Sequence, residues 1–295
     1  MPFGRVEGFF VDSCILLPQS STSREKGCQD FIKEAGSRCI LSSSVKKEAF
    51  DLINKAHRTV VLHFQSKLRP YLEEKGIKSI SNRDGQIFAE FFARQKMEFK
   101  KLPDSKTRTG IQSEIISAIE NYVANQLHSI EYGKEYGLDV FLGAISAELS
   151  IKKNSLEQPF RGLRSEEIDP INAVKLALVS GSALKNSHDA EHLASAFQYQ
   201  FLKNMWIVFV TTDQEDILDK TAEFNEMFLL CSRPEWAMDF SRTLTRNKEP
   251  LQHIEEIKNP TARQKKVIEV VGELEKLKIQ VQTKKDSTDL AVSST

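Results

Sequence analysis

Four acidic residues lie at positions from which they could bind one divalent cation. Asp12 and Asp213 each follow a short apolar run that predicts a buried strand, and Glu48 and Asp189 each lie in the first turn of a predicted helix. Mg²⁺ takes oxygen ligands in octahedral geometry and retains waters that can become nucleophiles. Four carboxylates gathered at one point would therefore support metal-dependent hydrolysis. They would also repel each other, so we expect at least one raised pKa in the absence of metal.

Each of these acids also has an ordinary structural explanation. Asp12 could cap a loop and Asp213 a turn, whereas Glu48 and Asp189 could compensate the dipoles of their helices. A capping box does not explain Glu48, because the residue three positions earlier is Val45. Helical phase favours a role for Asp189 in the site, because this residue lies at the edge of an apolar helix face that we expect to be buried. That face consists of Ala190, Leu193, Ala194, Phe197 and Phe201.

The elements that would position these acids alternate between strands and helices. We predict strands at 8–11, 38–41, 206–211 and 227–231. Helices are predicted after the N-cap candidates Ser42, Ser43 and Ser44, after Asp169-Pro170 up to Gly181, and at 187–202 and 215–225. Such alternation predicts an α/β fold, a parallel sheet flanked by helices. Ligands bind beyond the carboxyl ends of strands in such sheets, which is where Asp12 and Asp213 lie.

The middle and the end of the chain are predicted to be helical. Apolar residues recur at three- and four-residue spacing over 53–167, with a loop at 102–105 and a connection at 150–164 that contains Pro159. Beyond Pro260, a further apolar stripe lasts only two heptads, which favours a docking helix over a coiled coil. It can dock in its own chain or in another, so a homo-oligomer or a protein partner stays open.

Composition narrows the classes of protein further. Lys plus Arg and Asp plus Glu both number 41, giving a formal charge of zero, so nucleic-acid affinity must come from local patches. The four cysteines form no C-x-x-C pair, which excludes a zinc ribbon and indicates a reducing, cytoplasmic setting. No apolar run approaches the roughly 20 residues of a membrane span, and the N-terminus does not look like a signal peptide. We expect no membrane association.

The acids and their neighbours resemble the motifs of the PIN-domain nucleases. The stretch Val11-Asp12-Ser13-Cys14 resembles the first motif, and Ser43-Ser44-Val45-Lys46-Lys47-Glu48 resembles the second. The stretch Asp189-Ala190-Glu191-His192-Leu193 resembles the third motif, and Val210-Thr211-Thr212-Asp213 the fourth. A last strand ending Cys231-Ser232-Arg233-Pro234 is similar to the final strand of that fold. The four motifs also occur in the family's order.

The resemblance implies a domain organisation. We expect a PIN-like (Rossmann-like) domain at 1–55 and 168–240, a helical insertion at 56–167, a C-terminal helical extension at 241–283 and a disordered tail at 284–295. The insertion and the extra helix depart from the compact members of the family. Substrate and regulation therefore do not transfer with the fold.

The resemblance also implies an activity, Mg²⁺- or Mn²⁺-dependent endonucleolytic hydrolysis of RNA. Asp12 and Asp213 would be direct or water-mediated metal ligands, and Glu48 and Asp189 would complete the acidic cluster. Ser13 or Thr211 could orient the carboxylates. The expected contacts to the nucleic acid are Ser13, Thr211, Lys100 and Lys101.

Two other functions compete with the nuclease. His188-Asp189-Ala190-Glu191-His192 fits the H-x-x-E-H zinc pattern of inverted metallopeptidases, although no third ligand is evident. Alternatively, the chain is a catalytically inactive PIN-like scaffold that binds RNA or a protein. Its contact surface would be the basic run that consists of Arg94, Lys96, Lys100, Lys101, Lys106 and Arg108, although such runs are usually solvated.

Overall fold

A computed structural model gives the fold of residues 6–17, 22–100, 106–182, 184, 187–243 and 249–292. The chain divides into two compact units. The first comprises Met1–Ile15, Lys26–Lys46 and Leu163–Thr295, and the second comprises Leu16–Glu25 and Lys47–Gly162. The division differs from the sequence-based boundaries in two respects. The helical unit begins and ends several residues earlier than 56–167, and the segment expected as a separate C-terminal extension belongs to the first unit.

The first unit is built on a five-stranded sheet, and the prediction of an α/β fold is confirmed. Its strands are β1 (Val6–Val11), β2 (Cys39–Ser42), β5 (Arg164–Glu166), β6 (Trp206–Val210) and β7 (Leu230–Ser232). Their order is β5-β2-β1-β6-β7, and every neighbouring pair is parallel. The carboxyl ends of all five strands therefore lie along one edge of the sheet.

Helices cover both faces of this sheet. Successive side chains of a strand point to opposite faces. Phe9 packs edge-on against Phe31 of α2 (Thr22–Ala35), with ring centroids 5.3 Å apart. The next residue, Phe10, lies 6.0 Å from Tyr199 of α8 (Ser187–Lys203). Burial on both faces explains why β1 and β6 are continuous apolar runs rather than alternating ones.

The other helices of the first unit follow or surround the sheet. They are α1 (Ser13–Leu16), α7 (Asn172–Ser182), α9 (Thr221–Glu226), α10 (Pro234–Thr243), α11 (Pro250–Glu255) and α12 (Ala262–Val292). Helix α12 packs on α7 and α8 and buries Val267 and Leu274 there. The prediction of a docking helix is thus confirmed within the chain itself. Helix α8 buries the whole expected apolar face, from Ala190 to Phe201.

The second unit is helical, as its apolar spacing predicts. It contains α4 (Gly85–Lys100), α5 (Lys106–Ser129), α6 (Leu138–Gly162) and most of α3 (Ser43–Glu74), with a short antiparallel pair of β3 (Ser79–Ile80) and β4 (Tyr136–Gly137). Its core is aromatic. Phe64 of α3 lies 5.5 Å from Phe91 and 5.7 Å from Phe92 of α4.

Several boundaries between 150 and 182 differ from the sequence-based ones. Strand β5 begins at Arg164, the last residue of the predicted connection, and α6 continues as helix through most of that connection, with Pro159 in its last turn. Helix α7 begins at Asn172, so the prediction that Asp169 caps it was wrong. The side chain of Gln198 explains the shift, because it accepts a hydrogen bond from Ile171 N and donates one to Asp169 O, both at 3.0 Å. These bonds hold the backbone of 169–171 outside the helix.

The C-terminal half contains three further differences. The helix predicted at 215–225 is a turn, then a 3-10 segment Leu218–Lys220 and only then α9. Strand β7 begins at Leu230 rather than Met227, because Phe228 has a positive φ of 64° that ends the preceding helix. The tail expected to be disordered from 284 continues α12 as helix to Val292, with no glycine or proline to interrupt it.

Two features concern only the ranges that the structure describes, namely the length and polarity of the helices and the state of the cysteines. Among these ranges, every helix is too short or too polar to cross a bilayer. All four cysteines lie within them, and no disulfide joins any pair.

The start of α3 depends on one serine hydroxyl. Ser42, fully buried at the end of β2, accepts a hydrogen bond from Val45 N at 3.2 Å through its Oγ, as an N-cap residue does. We predict that Ser42→Ala lowers the free energy of unfolding by about 1 kcal/mol. Ser43→Ala, one residue along, is the matched control and should change it by less than about 0.5 kcal/mol. Urea denaturation measures the free energy of unfolding of both variants. Equal losses of stability in the two would contradict the N-cap role of Ser42.

Candidate metal centre

The candidate site lies at the carboxyl edge of the sheet, where β1 and β6 end together. Val11 pairs in register with Val210, so the residues after each strand emerge side by side. The backbone continues this pairing beyond the strands, since Asp12 N donates to Val210 O at 3.0 Å. Asp12 and the loop from Thr211 to Asp213 are thereby brought to one place.

Three carboxylates meet at this edge. Asp189 lies in the first turn of α8, and Asp213 and Asp216 lie in the turn after β6. One oxygen of each lies within 4.8 Å of the others, and all three side chains are half-buried. The turn is closed by Asp213 itself, which accepts Asp216 N at 3.1 Å through Oδ1 and Leu218 N at 3.0 Å through its carbonyl. Asp213 thus has the capping role considered above and also contributes to the cluster.

Asp12 lies beside this trio and is held by donors from its own chain. Its side chain is buried, and Oδ2 accepts hydrogen bonds from Thr211 Oγ1 at 2.7 Å and from Cys14 Sγ at 3.0 Å. Oδ1 accepts one from Ser13 Oγ at 3.3 Å and lies 3.7 Å from His192 Nδ1. Both carboxylate oxygens are therefore engaged within the protein.

The same groups hold the loop after β6 in place. Thr211 Oγ1, which donates to Asp12, accepts a hydrogen bond from Asp213 N at 3.0 Å. Cys14 Sγ accepts one from Thr212 N at 3.2 Å. Thr211 therefore connects Asp12 to Asp213 through two hydrogen bonds.

The acids respond to this environment in opposite directions. Burial, with the charges of Asp12 and Asp213, raises the pKa of Asp189 to about 6. Burial and the neighbouring charges of Asp216 and Asp12 also raise the pKa of Asp213. Burial alone would raise the pKa of Asp12 as well, but the hydrogen bond and charge of His192, with the bonds from Cys14 and Thr211, lower it. The directions of the pKa shifts of Asp189 and Asp213 agree with the expectation that at least one pKa in the cluster is raised.

The trio suits a hard divalent cation. Asp189 Oδ2 is buried and contacts no hydrogen-bond partner among the described residues. A buried oxygen without a partner costs free energy, and so does the repulsion between close carboxylates. A cation with oxygen preference would relieve both costs at once. The donor set therefore fits Mg²⁺ or Mn²⁺.

The other residues predicted for the site differ in where they lie and in whether the structure describes them. Glu48 lies on α3 in the second unit, and its membership of the cluster stays a prediction. The hydroxyls of Ser13 and Thr211 are buried and bonded to Asp12, which is the orienting role expected of them, whereas contact with a substrate is untested. Lys101 and the side chain of Lys100 lie outside the described residues.

Sequence reasoning missed three contributions to the site. Asp216 falls within the helix predicted at 215–225, whereas it lies in the turn that Asp213 closes and its carboxylate approaches those of Asp189 and Asp213. His192 was considered with His188 as part of a zinc motif, but it is buried against Asp12 and His188 is exposed. The acidic trio is the one group of potential metal ligands found among the described residues. The thiol of Cys14, expected only as part of a motif, bonds to Asp12.

Comparison with known proteins assigns neither a family nor a function to this chain. No family model, no curated protein and no solved structure matches this chain. The geometry of the site and the order of its residues must therefore support any function.

The raised pKa of Asp189 predicts a pH-dependent stability. The pKa of about 6 in the folded chain lies above 3.8, the ordinary pKa of an aspartate, so the native state holds this proton more tightly than the unfolded state does. The corresponding stabilisation is present below about pH 4 and is lost as the pH rises through about 6. Because Asp189 is partly exposed to solvent, we expect its contribution to the free energy of unfolding to be only about 1 kcal/mol.

Asp189→Asn tests this linkage because asparagine cannot ionise. In EDTA, the variant should exceed the wild type in free energy of unfolding by about 1 kcal/mol at pH 8, and the difference should shrink towards pH 4. Urea denaturation across this pH range measures it. A difference independent of pH would show that Asp189 does not carry the shifted proton.

Proposed function

We propose that this chain is a metal-dependent endoribonuclease with a PIN-like site, which hydrolyses phosphodiester bonds at the carboxyl edge of its sheet. The observation that supports this proposal most directly is the close approach of Asp189, Asp213 and Asp216, with Asp12 beside them. An acidic cluster of this kind repels a phosphodiester in the absence of a cation. The same cluster attracts one when a divalent ion neutralises it.

Two features of the first unit favour a PIN-like site over an unrelated acidic patch. The acids come from the elements that the resemblance names, the end of the first strand, the start of a helix and the turn after a later strand. They also lie where ligands bind in open parallel sheets. Because fold alone does not specify chemistry, the proposal rests on the carboxylates rather than on the sheet.

The proposal assigns distinct roles to the acids. Asp189, Asp213 and Asp216 would hold the cation directly, since their oxygens converge and Asp189 Oδ2 has no hydrogen-bond partner among the described residues. A bound Mg²⁺ or Mn²⁺ supplies charge neutralisation at the phosphate and lowers the pKa of a coordinated water.

Asp12 would act mainly as an anchor. Its two oxygens already receive hydrogen bonds from Thr211, Cys14 and Ser13. A carboxylate engaged in this way stays ionised and orients waters or neighbouring ligands without moving. Of the direct and water-mediated roles considered for Asp12, this arrangement favours the water-mediated one. His192, 3.7 Å from Oδ1, would add to the same positioning.

Cleavage of RNA tests the activity. With Mn²⁺ or Mg²⁺, the wild type should cleave single-stranded RNA, and EDTA should abolish cleavage. Asp213→Asn and Asp216→Asn should lower kcat/KM by about a hundredfold or more, because a lost ligand weakens charge neutralisation in the transition state. Asp12→Asn should also abolish most of the activity, since asparagine replaces one hydrogen-bond acceptor of the network with a donor.

Glu215→Gln is the matched control for this experiment. Glu215 lies in the same turn, between Gln214 and Asp216, but its side chain is exposed. The variant removes the same charge and should keep near-normal activity. RNA binding without cleavage under every divalent metal would favour the inactive scaffold. Absence of both binding and cleavage, for RNA and for DNA, would refute the nuclease.

Thermal unfolding tests the cation independently of activity. Mn²⁺ at about 100 times its Kd should stabilise the wild type by about 2.7 kcal/mol. Loss of a group that only orients a metal ligand typically weakens metal binding by about 10- to 100-fold. Because Asp216 is proposed as a ligand itself, Asp216→Asn should lower the affinity for Mn²⁺ by at least this factor. A calorimetric Tm shift that survives in Asp216→Asn and vanishes in Glu215→Gln would contradict the assignment of Asp216.

A further inference from the structure

A tryptophan is exposed close to the candidate metal centre. Trp236 keeps 62% of its surface accessible, whereas the chain's other tryptophan, Trp206, is 1% exposed. Trp236 lies in α10, the helix after β7, and its neighbours Ala237 and Met238 are buried. The helix thus packs on the sheet through these residues while it presents the indole to solvent. An exposed side chain of this size gains nothing from burial within the unit.

An arginine holds this indole in place. The guanidinium carbon of Arg233 lies 5.4 Å from the centroid of the Trp236 ring, within the range of a cation–π interaction. Arg233 is also exposed and donates a hydrogen bond to the side chain of Gln214. Gln214 in turn donates to Asp219. The pair is therefore anchored at its cationic end, and the exposed part of the indole is accessible to a ligand.

The anchor connects this pair to the acidic trio. Gln214 is the residue after Asp213 and lies in the turn that contains Asp216. Strands β6 and β7 are neighbours, and Thr211 N donates to Ser232 O at 3.1 Å at their carboxyl ends. The pair therefore lies on the loop beside the one that carries the acids, along the same edge of the sheet.

We propose that Arg233 and Trp236 form a base-stacking platform for single-stranded nucleic acid, a role that rests on the proposed nuclease function. A nucleotide offers an aromatic face and an anion together, and the platform offers an indole face beside a cation. Stacking of a base on an exposed aromatic ring stabilises binding for any base, whereas paired bases in a duplex present no free face. The platform thus selects unpaired strands.

Charge limits how a strand can be held here, because Glu235 and Asp239 on the same helix are also exposed. The chain has no net charge, so attraction for a polyanion must come from local cations such as Arg233. Next to the trio, which repels phosphate when no cation is bound, a stacking contact that carries no charge can hold the strand by its base. A protein partner that covers Trp236 is the alternative that the experiment must separate.

Fluorescence reports on this site directly, because one tryptophan is exposed and the other buried. The wild type is titrated with a short oligoribonucleotide, with the matching oligodeoxyribonucleotide and with an abasic strand of equal length and charge. Ca²⁺ replaces Mn²⁺ to limit cleavage during the titration. Emission should be quenched by the two strands that carry bases, and the abasic strand should leave it unchanged. Comparison of the first two gives the preference between RNA and DNA.

The variants separate stacking from charge. Trp236→Ala should weaken binding of the base-carrying strands about tenfold, and Trp236→Phe, which keeps an aromatic face, should lose less. Neither should change binding of the abasic strand or the circular dichroism spectrum. Arg233→Gln should weaken the binding of all three strands. Tyr132→Ala removes another exposed aromatic ring, in the second unit, and serves as the matched control, with no expected change.

The outcomes distinguish this inference from the nuclease proposal. Metal-dependent cleavage with unchanged affinity in Trp236→Ala overturns the platform and leaves the nuclease intact. Equal loss for abasic and base-carrying strands also overturns it, because stacking requires a base. Loss of affinity confined to base-carrying strands supports the platform even if no metal gives cleavage, in which case only the nuclease fails. Failure to bind any strand overturns both.

Discussion

The in-register parallel pairing of β1 with β6 is the constraint on which the candidate site depends. It ends two strands at the same level, Val11 beside Val210, although almost 200 residues separate them in the chain. The bond from Thr211 Oγ1 to Asp12 Oδ2 is possible only because of this register. A slip by one residue would turn each side chain to the other face of the sheet and separate the acids.

Electrostatics divides the acids at this edge into two kinds. Asp12 is surrounded by donors, and its pKa is lowered despite burial. Asp189 and Asp213 face mainly other carboxylates, and the pKa of each is raised. The first arrangement stabilises a fixed negative charge, whereas the second leaves charge that a cation can compensate. A rigid anchor beside an unsatisfied cluster is what a preorganised binding site requires.

The loop after β7 extends this edge from a charged site to an amphipathic one. Arg233 and Trp236 are both exposed, yet their contacts with each other and with Gln214 define their positions. An exposed aromatic ring next to a cation offers a face on which a base can stack. Carboxylates for a cation and an aromatic face for a base would together match the repeating unit of a nucleic-acid strand.

The sequence by itself determined the α/β class, the apolar strands β1 and β6, the buried face of α8 and three acids of the site. These follow from local patterns, since burial on both faces requires a continuous apolar run and a strand's end is marked by its first polar residue. Only tertiary structure decided that Asp216 joins the trio, that His192 faces Asp12 and that β5 completes the sheet. Each depends on groups distant in the chain or on a turn whose path no periodicity encodes. Gln198 illustrates the reason, because its amide bonds to 169–171 shift the start of α7 away from the position that Asp169-Pro170 predicts locally.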